Sequence, residues 1–220
     1  MASPKLIIAN KNYSSWSLRA WLILAKLKVE FEEVRIPLFT EGYKERLLQY
    51  APSGQVPVYV EDDLTVWDSL AIAEYFAEQY PTLLPKDAFQ RAKMRSLTAE
   101  MHSGFMPLRS QMPMNCRASD REVERTTELT DDIDRIKAIW TDCRNQNASS
   151  GSWLFGDFTV ADAMFAPVVF RFNTYKVKCD RIAAEYMETV LQDPDIQRWY
   201  EAAKTETEVI ARSEVGSQLN

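Results

Sequence analysis

The stretch QVPVYVEDDLTVWDSLAI at residues 55–72 contains the pattern that decides the fold of the first part of the chain. Two short runs rich in β-branched and aromatic residues, 57–60 and 64–67, flank an acidic turn, which predicts a β-hairpin. Asp68 and Ser69 follow at once, and apolar residues then recur at helical spacing as far as residue 79. The stretch therefore predicts a hairpin that leads directly into an amphipathic helix.

The residues before this hairpin alternate between strand and helix patterns. Residues 5–9 and 31–36 predict strands, residues 15–28 predict a long helix, and residues 42–50 predict a short polar helix. With the hairpin unit, the order is βαβαββα. This order predicts a mixed sheet covered by helices, an α/β domain over residues 1–80.

The pattern changes after residue 80. Two prolines interrupt residues 81–87, which we interpret as an interdomain linker. Beyond it we find no strand alternation, and the tail after residue 212 is expected to be loosely ordered. The predicted fold class is therefore α/β plus all-α, with an all-helical domain over 88–220, whose helix patterns cover 88–110, 120–146, 159–173, 183–191 and 195–209.

Composition excludes several classes of function. The net charge of −6 is shared evenly between the two parts, with no basic face for nucleic acid. No apolar run approaches the ~20 residues of a membrane helix, and the N-terminus lacks the form of a signal peptide, so we expect a cytoplasmic protein. The three cysteines are far apart and there is one histidine. We therefore expect no metal site and no disulfide framework.

Ser14 and Ser15 lie where the first strand gives way to the first helix. Serine is a preferred N-cap residue, so a structural cap is the favoured interpretation of this segment alone. The same helix end has free N–H groups and a positive potential, which favour an anion and lower the pKa of a thiol. A serine hydroxyl here can also donate a hydrogen bond to a thiolate that a substrate supplies.

Three further segments allow a structural and a functional interpretation. The loop before Pro57 is an ordinary Pro/Gly loop, unless the Val56–Pro57 bond is cis. Asp68 and Ser69 cap the next helix, or they bind an ammonium and a carboxylate. Asp162 stands three residues after Thr159, the spacing of a capping box, and we interpret it as a folding residue.

Taken in order, these segments resemble the cytosolic glutathione transferase family. The stretch SSWSLR at 14–19 is similar to the Ser-Ser-Cys-Ser-x-Arg motif of the zeta class, and residues 55–57 and 69–72 match the same class. The stretch at 156–162 matches the family's Gly-x-Phe-Thr-Val-Ala-Asp motif. The resemblance implies a thioredoxin-like N-terminal domain, an all-helical C-terminal domain and a homodimer.

The resemblance also implies roles for residues. Ser14 would hydrogen-bond the glutathione thiolate, with Ser15 as an open alternative. Val56 would pair its backbone with the cysteinyl part of glutathione, and Leu38 and Phe39 would line the loop before the second helix. The glutathione-binding residues implied are Gln55, Val56, Pro57, Asp68 and Ser69.

An electrophile would lie between the two domains. His102, Met106 and Arg109 are spaced i, i+4, i+7, so on one continuous helix they share a face that is too polar for a pure core. Core packing is the alternative interpretation, above all for Met101. We expect the electrophile site to consist of this face together with Trp16, with Arg109 or His102 orienting a polar electrophile.

The implied activity is attack of the glutathione thiolate on small electrophiles, or reduction of a hydroperoxide. Glutathione is then a cosubstrate, and no metal is implied. One alternative is a glutathione-dependent isomerase of the maleylacetoacetate type, although Trp16 stands where the zeta motif has cysteine. The other is a non-catalytic binding protein of the same fold. The absence of cysteine at the turn disfavours thiol–disulfide exchange.

Overall fold

The computed structural model describes residues 3–218, and four strands in its first part form one sheet. The strands are β1 (Lys5–Ile8), β2 (Glu32–Arg35), β3 (Val58–Glu61) and β4 (Leu64–Trp67), in the order β2-β1-β3-β4. β1 runs parallel to β2 and antiparallel to β3, and β3 and β4 form the predicted hairpin. The mixed sheet expected from the βαβαββα pattern is confirmed.

Helices cover both faces of this sheet because side chains of a strand alternate between its two faces. The helices are α1 (Ser15–Leu27), α2 (Tyr43–Leu48) and α3 (Ser69–Gln79). Leu6 and Ile8 of β1 belong to the large core that includes α1 and α3, whereas Ile7 packs in a small cluster with Leu47 of α2. The sheet therefore holds the N-termini of α1 and α3 in fixed positions.

The second part is helical, which confirms the fold class. After a short 3-10 turn at Pro81–Leu83, the helices are α4 (Ala88–Ser103), α5 (Met106–Gln111), α6 (Thr127–Asn147), α7 (Val160–Thr174), α8 (Arg181–Gln192) and α9 (Pro194–Lys204). α7 is buried almost throughout and contacts α1, α4 and α8. The packing of α7 against α1 joins the two parts of the chain.

The continuous helix expected over 88–110 is wrong. α4 ends at Ser103, and Phe105 takes a left-handed conformation with φ 59° before α5 begins. Pro107 explains the break, because it has no N–H to continue the hydrogen-bond ladder of α4. His102 and Arg109 therefore belong to different helices and do not share one helical face, contrary to the expectation from the sequence.

The expectations of no strand after residue 80 and of a loosely ordered tail are also wrong. Two-residue strands β5 (Arg121–Glu122) and β6 (Ser217–Gln218) pair with each other, and α6 begins at Thr127. The carboxylate of Glu206 accepts the backbone N–H groups of Lys11 and Asn12, at 2.7 and 3.0 Å. The C-terminal segment is thereby attached to the loop between β1 and α1.

The interpretation of Asp162 as a folding residue is confirmed by its capping box. Its Oδ2 accepts the backbone N–H of Thr159 at 2.8 Å, and its Oδ1 accepts the N–H of Leu154 at 3.0 Å. No helix within residues 3–218 combines the length and the apolar character that crossing a membrane requires.

Candidate active site

Ser14 is the N-cap of α1, so the structural interpretation of this serine is confirmed. Its Oγ accepts the backbone N–H of Ser17 at 3.2 Å, and its hydroxyl lies 2.8 Å from the Oγ of Ser17. Ser17 Oγ in turn accepts the N–H of Ala9 at 3.0 Å. A buried chain of hydrogen bonds thus holds Ser14 between the end of β1 and the first turn of α1.

A cavity of about 520 Å³ opens at Ser14 and Ser15. Helices α5 and α7 form its opposite wall, and the C-terminal segment closes one side. Three of the four residues expected to contact the electrophile, Trp16, Met106 and Arg109, line this cavity. The wall also includes Leu38, Phe39, Val56, Arg171, Ile210 and Arg212.

A second cavity of about 600 Å³ adjoins the first, and both include Trp16 and Val56 in their walls. Four of the five residues expected to bind glutathione line it: Gln55, Val56, Asp68 and Ser69. Pro57, the residue after Val56, is buried. The structure therefore brings these residues together around one cavity, next to the two serines.

Asp68 and Ser69 form the N-terminus of α3. Asp68 has φ 78°, and its Oδ1 accepts the N–H groups of Leu70 and Ala71 at 2.8 and 3.3 Å, which confirms the expected cap. The Oγ of Ser69 is buried and has no hydrogen-bond partner among the described residues. A buried hydroxyl without a partner at a helix N-terminus is suited to a carboxylate, because the helix dipole and the free N–H groups favour an anion there.

The Val56–Pro57 peptide bond is cis, as the sequence hypothesis required. Neither the N–H nor the C=O group of Val56 appears in a backbone hydrogen bond within the described chain. Both groups are thus available to an extended peptide, which would pair with Val56 as a neighbouring strand does.

His102 lies in the second cavity, not with Met106 and Arg109 as the sequence argument expected. Its Nε2 is 3.2 Å from Oδ2 of Asp68, and its ring meets Trp16 edge-on at 5.3 Å. Burial lowers the pKa of His102, and the nearby charges of Arg19 and Arg109 lower it further, while Asp68 opposes them. The imidazole is therefore mostly uncharged at neutral pH.

Three arginines near the serines, Arg19, Arg171 and Arg212, were not among the site residues expected from the sequence, whereas Arg109 was. Arg19 and Arg109 place their guanidiniums over the Trp16 ring, at 4.5 and 4.7 Å from its centre. Arg171 of α7 donates from Nη2 to Ser15 Oγ at 3.4 Å. Arg212 stacks on Phe39 at 4.1 Å and lines both cavities. An arginine amid the apolar sequence of α7 is the signal by which Arg171 could have been found.

Tyr13 is a further hydroxyl beside the first cavity, but its hydrogen bonds already engage it. Its OH donates to Glu214 at 2.6 Å and accepts from Arg117 at 2.8 Å. Burial and the hydrogen bond to Glu214 raise the pKa of Tyr13. Tyr13 therefore links the loop before α1 to the C-terminal segment and is not suited to activating a thiol.

The cysteines lie away from both cavities. Cys116 and Cys143 are buried, and burial raises the pKa of each thiol. No cluster of His, Cys, Asp or Glu within residues 3–218 has an arrangement that could hold a metal ion.

Comparison with known proteins agrees with this geometry. Residues 13–79 match the family Glutathione S-transferase, N-terminal domain, and residues 122–202 match Glutathione S-transferase, C-terminal domain. Maleylacetoacetate isomerase of Rattus norvegicus is 28% identical over 80% of this chain and 82% of its own length. Glutathione S-transferase F12 of Arabidopsis thaliana is 30% identical over 69% of this chain and 74% of its own.

Solved structures show the same fold. A glutathione transferase homolog from Burkholderia GL BGR1, with bound glutathione, superposes with a TM-score of 0.69 at 23% identity, covering 94% of this chain and 100% of the homolog. The two matched domains and the residues gathered around the two helix N-termini lead to one conclusion: the chain belongs to the glutathione S-transferase family.

Proposed function

We propose that this chain is a glutathione transferase that joins the glutathione thiolate to small electrophiles carrying a carboxylate. The observation that carries the proposal is the pair of adjoining cavities. One is built around the N-terminus of α3, the other around the N-terminus of α1, and Trp16 and Val56 belong to both. A tripeptide in the second cavity can therefore place its thiol at Ser14, next to the first.

Glutathione fits the groups that the second cavity presents. The γ-glutamyl carboxylate would accept from Ser69 Oγ and the N-terminus of α3, and the γ-glutamyl ammonium would pair with Asp68. The cysteinyl part would pair with the backbone of Val56. Gln55 lies at the rim for the remaining polar groups. We infer residues 1–80 as the glutathione-binding domain, 81–87 as the linker and 88–220 as the domain that completes the electrophile site.

The chemistry follows from the N-terminus of α1. Positive potential there favours the thiolate over the thiol, and Ser14 donates a hydrogen bond to the sulfur. Ser17 can reverse its hydroxyl to donate to Ser14 Oγ, which frees the hydrogen of Ser14 for the sulfur. The thiolate then forms a bond to the electrophilic carbon, and the leaving group departs with its electron pair. The thiol proton goes to solvent.

The charges of the first cavity indicate the class of electrophile. Arg109, Arg171 and Arg212 line it, and no Asp or Glu is among the described residues of its wall. This is informative because the whole chain has a net charge of −6. Guanidiniums bind carboxylates by charge-assisted hydrogen bonds, so we infer an electrophile that carries a carboxylate.

We expect the enzyme to prefer 4-chloro-3-nitrobenzoate over its methyl ester, which has the same reacting carbon but no charge. Removing one charge-assisted hydrogen bond in Arg212→Met should lower kcat/KM for the acid about tenfold and leave the ester nearly unaffected. The measurement is kcat/KM for both substrates. Arg198→Met, which removes an exposed arginine outside the cavity, is the control. Equal losses for acid and ester in Arg212→Met would contradict an acid-binding role.

Isomerisation of maleylacetoacetate is the second candidate, because that substrate is also a carboxylic acid and the relative from Rattus norvegicus is named for this reaction. There the thiolate would add to the double bond and leave again after rotation, so glutathione would be regenerated. Trp16, in place of the motif's cysteine, contacts the guanidiniums of Arg19 and Arg109. Isomer turnover faster than conjugation of any acid tested would favour this candidate.

His102 makes glutathione binding dependent on pH. Protonated His102 would pair more strongly with Asp68 and repel the γ-glutamyl ammonium, whereas the neutral imidazole leaves Asp68 Oδ2 to the ligand. Arg19 and Arg109 also face the imidazole; burial first, and then their charge, keeps the pKa of His102 below its usual value against the opposing effect of Asp68. We expect the Kd of S-methylglutathione, which has no thiol to titrate, to rise about threefold between pH 7 and pH 5.

In His102→Gln this rise should disappear, because glutamine retains a polar contact with Asp68 but does not titrate. Calorimetric titration at several pH values is the measurement. The same increase of Kd in wild type and His102→Gln would show that another group is responsible.

A non-catalytic binding protein predicts a different result: binding of glutathione without turnover of any electrophile and without a lowered thiol pKa.

We further propose that the protein forms a homodimer and is located in the cytoplasm. Sedimentation analysis of the full chain tests the homodimer, because a single species near 25.4 kDa, the mass of one chain, would contradict it.

A further inference from the structure

Three guanidiniums gather around Trp16 and Ser15, and two of them are almost fully buried. Arg19 is 1% exposed and Arg171 is 5% exposed. Arg19 and Arg109 stack on the Trp16 ring, and Arg171 donates to the hydroxyl of Ser15. Three positive charges thus converge on the first turn of α1.

Within the part of the chain that the structure describes, none of these three guanidiniums forms a salt bridge with a carboxylate. Arg171 donates to the carbonyl groups of Met112 and Arg109, and Arg19 donates to that of Met164. The Nη1 atom of Arg19 has no hydrogen-bond partner among residues 3–218. Carbonyl groups satisfy N–H donors but do not neutralise charge, and an unpaired buried charge costs several kcal/mol.

The unfavourable burial of these charges changes the pKa values of the three arginines. Burial and mutual repulsion lower the pKa of Arg19 and Arg171, that of Arg171 to about 9, and burial lowers that of Arg109. An anion placed among them would relieve the repulsion. The cavity of about 520 Å³ offers the position, since Arg109 and Arg171 line it together with Ser14 and Ser15.

Arg171 is the member of the cluster that is best placed to act on the sulfur. Arg19 contacts the Trp16 ring but lines neither cavity. Arg109 is less buried and lies on the electrophile side, on α5. Arg171 both lines the cavity and contacts Ser15, whose hydroxyl oxygen accepts from it and whose hydrogen is therefore left to point elsewhere.

We propose that Arg171 is a positioning residue for the glutathione thiolate: it turns the hydroxyl of Ser15 towards the sulfur as a second donor, and its buried charge stabilises the ionised thiol. The proposal rests on the proposed function, because it requires glutathione in the cavity at α3. In this arrangement Ser14 and Ser15 both serve the sulfur, one from the helix cap and one through Arg171. The missing counter-ion of the cluster is then the sulfur anion itself.

The test compares Arg171→Gln with Arg171→Lys. The first keeps polar donors but removes the charge, and the second keeps the charge but loses the several N–H donors of the planar guanidinium. The ultraviolet absorbance of the thiolate gives the pKa of enzyme-bound glutathione. We expect Arg171→Gln to raise this pKa by about 1 and Arg171→Lys to raise it by less than half as much. kcat/KM of Arg171→Gln should fall about tenfold near pH 6 and recover near pH 9, where the thiol ionises unaided.

Arg144→Gln is the matched control, because Arg144 also donates to backbone carbonyls, those of Gly151 and Trp153, but lies outside both cavities. Its thiol pKa should equal that of wild type. A loss of rate in Arg171→Gln that is the same at every pH, with an unchanged thiol pKa, would overturn the proposal and leave Arg171 a structural residue.

A measurement on the wild-type protein tests the proposal even if the Arg171 variants do not fold. If the cluster accommodates the thiolate, glutathione should raise Tm more than S-methylglutathione does. This difference in Tm should grow as the pH rises through the thiol pKa of bound glutathione. No such growth would overturn the proposal. If wild type neither binds glutathione nor lowers its thiol pKa, the proposed function fails; if wild type lowers the pKa and Arg171→Gln does so equally, only the role of Arg171 fails.

Discussion

Replacing Ser14 with glycine should raise the pKa of bound glutathione by about 1.5 and lower kcat/KM near neutral pH by about 30-fold, the loss of one hydrogen bond to a charged group, worth about 2 kcal/mol. Glycine is the informative replacement because it is tolerated as an N-cap, whereas alanine would also destabilise α1 by about 1 kcal/mol. The loss of activity then reports the hydroxyl and not the helix.

Three companion variants define the result. Ser14→Thr keeps both the cap and a hydroxyl and should recover most of the activity. Ser15→Ala should raise the thiol pKa by less than Ser14→Gly does, since Ser15 acts as the second donor. Ser96→Ala is the control, because that hydroxyl bonds only to a carbonyl of its own helix on the surface.

Thiolate absorbance and single-turnover kinetics are the measurements. A larger effect in Ser15→Ala than in Ser14→Gly would assign the sulfur contact to Ser15. If neither variant shifts the thiol pKa, thiol activation by a serine of this turn is wrong.

Asp162→Ala should lower the free energy of unfolding by about 3 kcal/mol, the largest loss of stability that we expect from one substitution outside the apolar core. Asp162 is fully buried, and its removal leaves the N–H groups of Leu154 and Thr159 without their acceptor. The hydroxyl of Tyr186 loses its partner as well, at 3.2 Å. Urea unfolding measures the loss, and Asp134→Ala, at an exposed ion pair, should change stability by less than about 0.5 kcal/mol.

This carboxyl also gives stability a particular dependence on pH. Burial raises the pKa of Asp162 from 3.8 to about 6, although four hydrogen bonds oppose the rise. Because the folded state then holds the proton more tightly than the unfolded state, the contribution of Asp162 falls as pH rises from about 4 to about 6 and is constant above that. The difference in stability between wild type and Asp162→Asn should therefore be larger at pH 4.5 than at pH 7. A difference that grows towards neutral pH would show that the hydrogen bonds outweigh burial.

Local signals in the sequence were sufficient for the elements of the first domain. Alternation gave the strands β3 and β4, the acidic turn gave their hairpin, and capping residues gave the starts of α1 and α3. The capping box at Asp162 was equally local. Such features depend on neighbours within four residues, and this is why they can be predicted without coordinates.

The break between α4 and α5 was not predicted from local signals. Apolar and polar residues continue at helical spacing through residues 102–109, and Pro107 alone signalled the interruption. For this reason His102 was wrongly grouped with Met106 and Arg109, which line the other cavity. The pairing of β5 with β6 was beyond reach for another reason, since two-residue strands that lie about 95 residues apart carry no periodicity.

By itself, the sequence determined the order of elements in the first domain, the position of the two serines at the start of α1, and that of Asp68 and Ser69 at the start of α3. It also led to the hypothesis of a cis Val56–Pro57 bond. Only the tertiary structure decided which side chains share a cavity. Packing of α7 against α1 brings Arg171 to Ser15, residues 156 positions apart, and the end of α4 brings His102 to Asp68. The physical reason is that charge acts through space: a buried arginine influences a thiolate by its distance from the sulfur, and chain folding alone sets that distance.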